Sequence, residues 1–406
     1  MHNLSRVPVE TLRSVVAALA SIDRSPCSLG EKDAAEWLGR RLAEAGCDDV
    51  AIEQEPSWGR FPPTMAGLAC TSGIAALATA RGHGIVGPLA AAAVLGGMLD
   101  EIHNGPRLLR RAVRRRRSTV NVVASMGDVD SPQTLVVLAH HDAAQTSIVF
   151  DQRLVQALHR RGLGSVASFR GGPRVWWPVV AGPILTVAGG ALRARFLARV
   201  GLILSAGSLG FLTEMMLRPT VPGANDNLSG VAGLVAVAEM LRERPVTGLR
   251  VLLVSCGAEE TLQDGIRAFI ERHRAELTPE RTFFINLDTI GSSHLVMLEG
   301  EAPVWTEHYA GGPFRELVAA CAVDHGIEVV RAPRAGASTD GIIPSRAGIP
   351  TATLISIEPW GLPANYHLMS DLPDALDYAT VADAARLVSA VCTALPTLTP
   401  SGDRAR

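Results

Sequence analysis

Residues 134–142 read Thr-Leu-Val-Val-Leu-Ala-His-His-Asp, an apolar run that ends abruptly in three polar residues. Short runs of mostly apolar residues are typical of strands that are buried on both faces of a sheet. Polar residues directly after such a strand lie at the carboxyl edge of the sheet, where open α/β sheets bind their ligands. The stretch therefore predicts a buried strand and a functional site at its end.

The same pattern recurs three times further along the chain. Residues 251–255 lead into Glu259 and Glu260, residues 283–287 lead into Asp288, and residues 351–357 lead into the loop of Tyr366 and His367. Predicted strands are 119–124, 134–139, 249–255, 282–287 and 351–357, and predicted helices are 31–45 (after a Ser28/Glu31 capping box), 228–242, 265–274, 314–324 and 378–395. This alternation predicts an α/β fold with a mixed, mostly parallel sheet and helices on both faces.

Two apolar segment pairs interrupt this pattern. Charged residues make up only 19% of the 406 residues, and the mean hydropathy is +0.20. The apolar excess lies in residues 65–80 and 85–99 and in residues 175–192 and 200–217. These segments are at or just under the roughly 17–25 residues that cross a bilayer. We expect a single domain, 1–406, with inserted helical hairpins at about 63–104 and 151–218; buried hairpins of a soluble protein are the alternative.

Arginines flank these hairpins unevenly. The non-hairpin side carries Arg107, Arg110, Arg111, Arg114, Arg115, Arg116, Arg117, Arg153, Arg160, Arg161, Arg170 and Arg174, whereas the hairpin tips carry Arg81, Arg193, Arg195 and Arg199. The positive-inside rule then predicts a cell (inner) membrane protein whose catalytic part faces the cytoplasm. The arginine run 107–117 is expected to meet anionic lipid rather than nucleic acid, because the net charge of −2 shows no basic excess.

The amino terminus and the cysteines agree with a cytoplasmic location. Residues 1–24 contain several charged residues and no cleavable apolar core. The six cysteines have no metal-knuckle spacing and are interpreted as free thiols in a reducing compartment.

Imidazoles and carboxylates are expected to converge at one sheet edge. A further candidate, Asp226, lies in Gly223-Ala224-Asn225-Asp226-Asn227-Leu228-Ser229-Gly230 at a predicted helix start. So many acidic groups at one place would repel one another unless a multivalent cation compensated them. Mixed nitrogen and carboxylate ligands fit zinc.

These residues resemble the bacterial double-zinc aminopeptidases, a family that also contains glutamate carboxypeptidase and glutaminyl cyclase. The family pattern is His-x-Asp, Gly-Ala-x-Asp-x-x-Ser-Gly, Glu-Glu, a strand-end Asp and a late His. The sequence has His140 to Asp142, residues 223–230, Glu259 and Glu260, Asp288 and His367 in that order. Five elements in order are a specific pattern. The resemblance covers most of the chain except the hairpins and implies a zinc exopeptidase fold.

The resemblance implies a role for each of these residues. Asp226 would bridge two zinc ions per chain, one also bound by His140 and Asp288 and the other by Glu260 and His367. Asp142 would orient the His140 imidazole, and Glu259 would be the general base. The peptide bond between Asp226 and Asn227 would be cis. The implied activity is an aminopeptidase that hydrolyses peptides with a free N-terminus through a zinc-activated water.

Each motif also has a structural alternative. His140 is alternatively a hydrogen-bonded core histidine, Asp226 a helix N-cap, and the Glu259–Glu260 pair a solvated helix start. His141 is interpreted as a neighbour without a role. The other histidines show no partner pattern and are interpreted as surface or core residues: His83, His103, His159, His273, His294, His308 and His325.

The sequence departs from the family in two ways. Residues 143–221 replace a short loop, so this insertion and the first hairpin are open to three roles: membrane anchor, lid or homodimer interface. A family Ser-Asp-His element corresponds to Thr339-Asp340-Gly341, so its histidine is missing. Two other functions stay open: a glutaminyl-cyclase-like acyltransferase and a non-catalytic membrane scaffold of the same fold.

Overall fold

The computed structural model describes residues 7–82, 85–163, 176–332 and 334–397. Its strands are β1 (Asp48–Ser57), β2 (Arg117–Gly127), β3 (Thr134–His140), β4 (Arg250–Cys256), β5 (Thr282–Leu287), β6 (His294–Leu298), β7 (Gly300–Glu301), β8 (Glu307–His308), β9 (Val330–Ala332) and β10 (Thr351–Ile357). Eight of them form one sheet in the order β1-β2-β4-β3-β5-β10-β6-β9. The four central strands, β4, β3, β5 and β10, run parallel, which confirms the predicted mixed, mostly parallel sheet.

Helices cover both faces of this sheet. They are α1 (Val9–Ala20), α2 (Leu29–Glu44), α3 (Pro62–Ala80), α4 (Val86–Ile102), α5 (Leu108–Val113), α6 (Arg153–Arg160), α7 (Trp177–Ala191), α8 (Arg195–Met216), α9 (Ser229–Glu243), α10 (Asp264–Arg272), α11 (Gly312–Asp324), α12 (Ile342–Arg346) and α13 (Tyr378–Ala394). Leu135 and Val137 of β3 pack with α1, α2, α9 and α13, whereas Val136 and Leu138 pack with α10. The fully apolar strand is therefore buried on both sides.

Three strands of the large sheet, β1, β6 and β9, and the first helix, α1, were not predicted. Strand β1 is exposed or half-buried over most of its length, and β6 and β9 are short. Helix α1 begins close to the start of the chain. The Ser28 side chain caps α2 as predicted, by accepting from the Glu31 N–H at 3.1 Å. The carboxylate of Glu31, however, accepts from the N–H groups of Cys27 and Ala258.

The apolar segments form four helices that pack against one another as one bundle. α3 contacts α4, α7 and α8, and α7 contacts α4 and α8. The hydroxyl oxygens of Ser72 and Ser205 lie 2.8 Å apart between α3 and α8. A Cβ atom on Gly201 would lie 2.7 Å from the carbonyl oxygen of Gly182, so α7 and α8 approach closely because these residues are small. The two hairpins are thus one structural unit.

The outer surface of this bundle is apolar. Ile74, Ile85, Leu89, Phe196 and Ile203 are each at least 64% exposed. Among the described helices, α3 and α8 are long and apolar enough to cross a membrane. Large exposed apolar patches mark surfaces that contact other proteins or a membrane.

The arginine run after α4 is only partly available to lipid. Arg107 and Arg110 are buried in ion pairs with Asp264 and Glu101, respectively, so the expectation that the whole run meets lipid is wrong for these two. Burial of a charge requires a partner charge, and the sequence did not show where these partners lay. Residues 83, 170 and 174, which the sequence analysis also considered, lie outside the described residues.

Candidate metal centre

The predicted site residues follow four neighbouring strands of the sheet. His140 is the last residue of β3, and Glu259 and Glu260 follow β4 after a short turn. Asp288 follows β5, and His367 lies in the loop after β10. Because β4, β3, β5 and β10 are parallel and adjacent, their carboxyl ends bring these side chains together.

Asp226 lies between the two histidines. Its Oδ1 is 3.2 Å from Nε2 of His140, and its Oδ2 is 2.9 Å from Nε2 of His367. The same His367 nitrogen is 3.3 Å from Oε1 of Glu260. Two groups of three side chains offer ligand atoms within 4.8 Å of one another: His140, Asp226 and Asp288, and Asp226, Glu260 and His367. Both groups contain Asp226, and each oxygen of its carboxylate faces a different histidine.

The ligand atoms at this site that lack a hydrogen-bond partner fit metal ions. Oε1 of Glu260 and Nε2 of His367 are buried and have no well-aligned hydrogen bond among the described residues. Burial raises the pKa of Asp288 to about 7, which reflects the cost of several carboxylates in one closed space. Cations bound between the two groups would remove that cost. Imidazole nitrogens and carboxylate oxygens are a ligand set that zinc accepts.

A third group contains the predicted base. Ligand atoms of His140, Glu259 and Glu260 also lie within 4.8 Å of one another. Burial raises the pKa of Glu259 well above its ordinary range, although the nearby His140 opposes this shift. A carboxylate with a raised pKa beside a candidate metal centre is suited to accept a proton.

The Asp226 loop is cross-linked to the strand end that carries Asp288. The Asn227 amide accepts from the N–H of Thr289 at 3.0 Å and donates to the Leu287 carbonyl at 2.8 Å. A Cβ atom at Gly230 would lie 2.5 Å from that same carbonyl, so only glycine allows α9 to start here. The Asp226–Asn227 peptide bond is cis, as the resemblance implies. These contacts explain why the motif needs small and amide side chains around its aspartate.

The N-cap alternative for Asp226 is wrong. The N-cap residue of α9 is Leu228, and the side chain that accepts from the N–H of Gly230 is Asn227, at 3.1 Å. The Asp226 carboxylate faces the two histidines instead.

Two further residues hold this loop and were missed from the sequence. Asp371 accepts from the N–H groups of Asn225 and Asp226 at 2.8 and 3.1 Å. It follows His367 by four residues, so one loop supplies a candidate ligand and the anchor of another. No sequence motif marks it as different from a surface aspartate.

Arg24 is the second missed residue. Its buried guanidinium donates to the carbonyl oxygens of His141 at 2.9 Å and Pro222 at 2.7 Å. These carbonyls belong to the loop after β3 and the loop before Asp226, so one side chain links the end of β3, which carries His140, to the Asp226 loop. A lone arginine far away in sequence gives no signal of this role.

The turn of Glu259 and Glu260 is held by buried carboxylates. Asp142 accepts from the N–H of Glu259 through Oδ1 and from the N–H of Glu260 through Oδ2, both at 3.0 Å. Asp142 Oδ1 also lies 3.3 Å from Nδ1 of His140. Ala258, the residue before Glu259, donates its N–H to the carboxylate of Glu31 at 2.8 Å. Asp142, the predicted partner of His140, therefore also holds the backbone of the Glu259–Glu260 turn in place.

The first hairpin reaches the other side of this turn. We call the side chains of Glu101, Asn104, Arg107 and Arg110 the hairpin foot. Besides its ion pair with Glu101, Arg110 donates to the carbonyl oxygen of Thr261 at 2.7 Å. Arg107 pairs with Asp264, the first residue of α10. The segment directly after the first hairpin thus contacts the residues that follow the Glu259–Glu260 pair, and Glu101 of α4 pairs with it.

The structure also shows the surroundings of His141 and Asp340, two positions considered in the sequence analysis. His141 is buried, its Nδ1 lies 3.0 Å from the Ser255 hydroxyl, and burial lowers its pKa to about 4; it belongs to none of the candidate groups. Asp340 is fully buried, and burial raises its pKa to about 8. A Cβ atom at Gly341 would lie 2.2 Å from the Thr353 hydroxyl, so the histidine that the family carries there has no room.

Comparison with known proteins agrees with the motifs. Residues 209–392 match the model of Peptidase family M28, which confirms the resemblance drawn from the sequence. The matched segment contains Asp226, Glu259, Glu260, Asp288 and His367, whereas His140 and Asp142 precede it. None of the curated proteins matches the chain significantly.

Solved structures share the fold at low sequence identity. The Legionella pneumophila LapA aminopeptidase is 12% identical with a TM-score of 0.55, over 97% of this chain and 73% of that one. A Bacteroides thetaiotaomicron glutaminyl cyclase is 14% identical with a TM-score of 0.55, over 96% and 99%. A zinc-dependent exopeptidase from Parabacteroides distasonis is 13% identical with a TM-score of 0.53, over 96% and 99%. The chain therefore has a metallopeptidase-like fold, and the exact activity has to be argued from its site.

Proposed function

We propose that the protein is a zinc-dependent aminopeptidase that removes N-terminal residues from peptides. The observation that carries the proposal is the position of Asp226, whose two oxygens face His140 and His367 within two candidate ligand groups. In this proposal His140, Asp226 and Asp288 hold one zinc ion, and Asp226, Glu260 and His367 hold the second. Bound zinc would supply an acidified water and stabilise the negative charge that develops on the scissile carbonyl oxygen.

The chain itself would supply proton transfer and orientation. Glu259 takes a proton from the attacking water and delivers it to the leaving amine, a role that its raised pKa supports. Gln263 donates to Oε1 of Glu259 at 2.7 Å, which leaves the other carboxylate oxygen for the proton. Asp142 accepts from the N–H groups of Glu259 and Glu260 and so keeps the backbone of this turn in place.

We further propose that the four-helix bundle anchors the enzyme in the cell membrane. The apolar exposed side chains of α3, α4 and α8 support this location. The exposed arginines after α5, among them Arg115 and Arg116, would then face the cytoplasm and anionic headgroups. The sheet and its site would lie on the same side.

The test is metal analysis and peptide cleavage by the full chain, purified in detergent. We expect about two zinc ions per chain and cleavage of Leu-Gly-Gly but not of N-acetyl-Leu-Gly-Gly, because an aminopeptidase requires the free amine. Glu259→Gln should retain zinc and lose at least 100-fold in kcat, since general acid–base catalysis contributes about 10²–10⁴-fold. Normal cleavage by Glu259→Gln would refute the proposed base.

Glutaminyl cyclase activity is the competing function, since one of the similar structures has that activity. A Gln-Gly-Gly peptide distinguishes the two. Release of free glutamine is the aminopeptidase result, whereas loss of ammonia with no amino acid released would assign the cyclase reaction. A zinc-loaded protein that converts none of these peptides would favour a non-catalytic scaffold.

A further inference from the structure

Arg60 is a half-buried arginine in the loop that joins β1 to α3. The backbone of this loop is fixed, because the Trp58 N–H donates to Asp264 at 3.3 Å and the Gly59 carbonyl accepts from Arg110 at 3.2 Å. The Arg60 guanidinium, in contrast, has no hydrogen bond or ion pair within the ranges that the structure describes. The backbone around Arg60 is fixed, whereas its side chain has no anionic partner among the described residues.

This side chain lies beside the candidate metal centre. Arg60 lines a narrow pocket together with Glu260 and His367, and Phe61 and Phe150 form part of its apolar wall. Phe150 also packs edge-on against His367, with ring centroids 4.4 Å apart. On its other side Arg60 lines a wider open recess of about 430 Å³. A molecule that extends from the metal centre toward this recess passes the guanidinium.

The surroundings of Arg60 provide no ion pair for its positive charge among the described residues. Burial, followed by the neighbouring Arg117 and Arg114, lowers its pKa, and Asp23 opposes this shift. Asp23 is the acidic residue of the recess, but its Oδ1 already accepts from the N–H of Ser25 at 3.1 Å. A guanidinium that is partly removed from water without an anion is unfavourable, and carboxylates are its best-matched ligands.

We propose that Arg60 binds a carboxylate on the leaving-group side of the substrate. The residue after the cleaved bond would present it, because Arg60 and Glu260 line the same narrow pocket. This carboxylate is either the C-terminus of a dipeptide or an acidic side chain. The inference rests on the proposed aminopeptidase function and narrows its substrates to short or acidic peptides.

Kinetics on matched peptides test the subsite. The full chain is assayed in detergent with Leu-Gly, Leu-Gly-amide and Leu-Asp-amide. We expect kcat/KM to fall 10- to 100-fold from Leu-Gly to Leu-Gly-amide, because hydrogen bonds between charged groups are worth this much. Recovery with Leu-Asp-amide would show that a side-chain carboxylate also reaches the subsite, whereas no recovery would restrict it to the C-terminus.

Variants connect this preference to Arg60. Arg60→Gln should lower kcat/KM for Leu-Gly to the value for Leu-Gly-amide. Arg60→Lys should keep part of the difference in kcat/KM between the two peptides. Arg115→Gln removes an equally charged but exposed residue nearby and should keep the full preference. Equal rates for both peptides in the unmodified enzyme, or an equal loss on both in Arg60→Gln, would overturn the proposal.

Binding measurements separate this inference from the proposed function. Calorimetry on the zinc-loaded Glu259→Gln variant measures the affinity for Leu-Gly and Leu-Gly-amide without turnover. Tighter binding of the free acid that Arg60→Gln abolishes would support the subsite even if the enzyme cleaves neither peptide. Cleavage without any preference for the free acid would leave the aminopeptidase proposal intact and reject the subsite. Weaker binding of Arg60→Gln to anionic vesicles, with peptide preference unchanged, would assign Arg60 to lipid instead and also reject it.

Discussion

The side-chain amide of Gln263 donates a 2.7 Å hydrogen bond to the carboxylate of Glu259. The same amide donates to the carbonyl oxygen of Ser338 at 3.1 Å, and the Ser338 hydroxyl accepts from Asn104 of the hairpin foot at 2.7 Å. The proposed base is therefore oriented through a short chain of polar contacts that begins in the inserted helices. Groups that are oriented this way affect catalysis without touching substrate.

Gln263→Met should slow the reaction without releasing metal. Methionine keeps the length of the side chain but removes the hydrogen bond, so we expect kcat to fall about tenfold, the equivalent of 1.4 kcal/mol, with KM within twofold. Zinc content should stay unchanged, because Gln263 belongs to none of the candidate ligand groups. Steady-state kinetics and metal analysis check this. A raised KM at unchanged kcat would place Gln263 in substrate binding instead.

The buried pair of Glu101 and Arg110 should matter far more than an exposed pair. Removing one partner leaves a buried charge, which costs about 3–5 kcal/mol. We expect Glu101→Leu and Arg110→Met each to lower Tm by several degrees in detergent. The decrease in Tm of the double variant should be smaller than the sum of the decreases in the two single variants.

Arg386→Met is the matched control for this pair. Arg386 and Asp383 form an ion pair on the surface, with about a third of each side chain exposed, and such pairs contribute about 0–1 kcal/mol. A Tm loss in Arg110→Met no greater than in Arg386→Met would contradict the structural role of the hairpin foot.

His273 should make stability depend on pH. Its Nε2 lies 3.0 Å from Glu53, and this hydrogen bond raises the pKa of His273 above 6.5 despite partial burial; Glu276 adds to the shift and Arg272 opposes it. A raised folded-state pKa gives stability that is present below pH 6.5 and lost as the pH rises through the folded pKa.

His273→Gln measures this contribution. The variant should have a lower Tm than the unmodified protein at pH 5.5, and the difference should disappear by pH 9. The comparison of Tm over this pH range, by circular dichroism, checks it. A difference that is constant with pH would mean that ring packing against Phe269, with centroids 4.6 Å apart, accounts for the effect.

The membrane proposal predicts opposite outcomes for two exposed apolar residues. Ile203 on α8 is 69% exposed and Val129 after β2 is 52% exposed. In water either residue tolerates lysine, but within a bilayer a lysine costs about 2.5–3.5 kcal/mol. We expect Ile203→Lys to reduce the fraction of the protein that stays in carbonate-washed membranes and Val129→Lys to leave it unchanged. Equal behaviour of the two variants would argue that the bundle lies in water.

The sequence predicted the central strands well because they are apolar on both faces. Residues 282–287 and 351–357 were predicted with the bounds that the structure has. Strand β1 was missed because its residues are largely exposed, so no apolar run marks it. Local patterns report burial, and an edge strand is not buried.

The order of the motifs predicted the candidate site residues. It did not predict the residues that hold them in position. Arg24, Asp371 and Gln263 each contact residues that are distant in sequence or hidden behind a turn. A charged residue that satisfies carbonyls or amides across the fold has the same local sequence as one on the surface. The burial of Arg107 was hidden for the same reason, since its partner Asp264 lies 157 residues away.

The contacts of the hairpin foot limit which residues can be deleted from this chain. A soluble version designed by deleting the whole of residues 63–104 would also remove Glu101 and Asn104. Arg110 would then be left buried without its partner, and Ser338 without its donor. Excision above the foot, together with the matching part of the second hairpin, would retain these contacts with the sheet. The boundary between the apolar bundle and the part of the chain built around the sheet therefore lies within α4, not at its end.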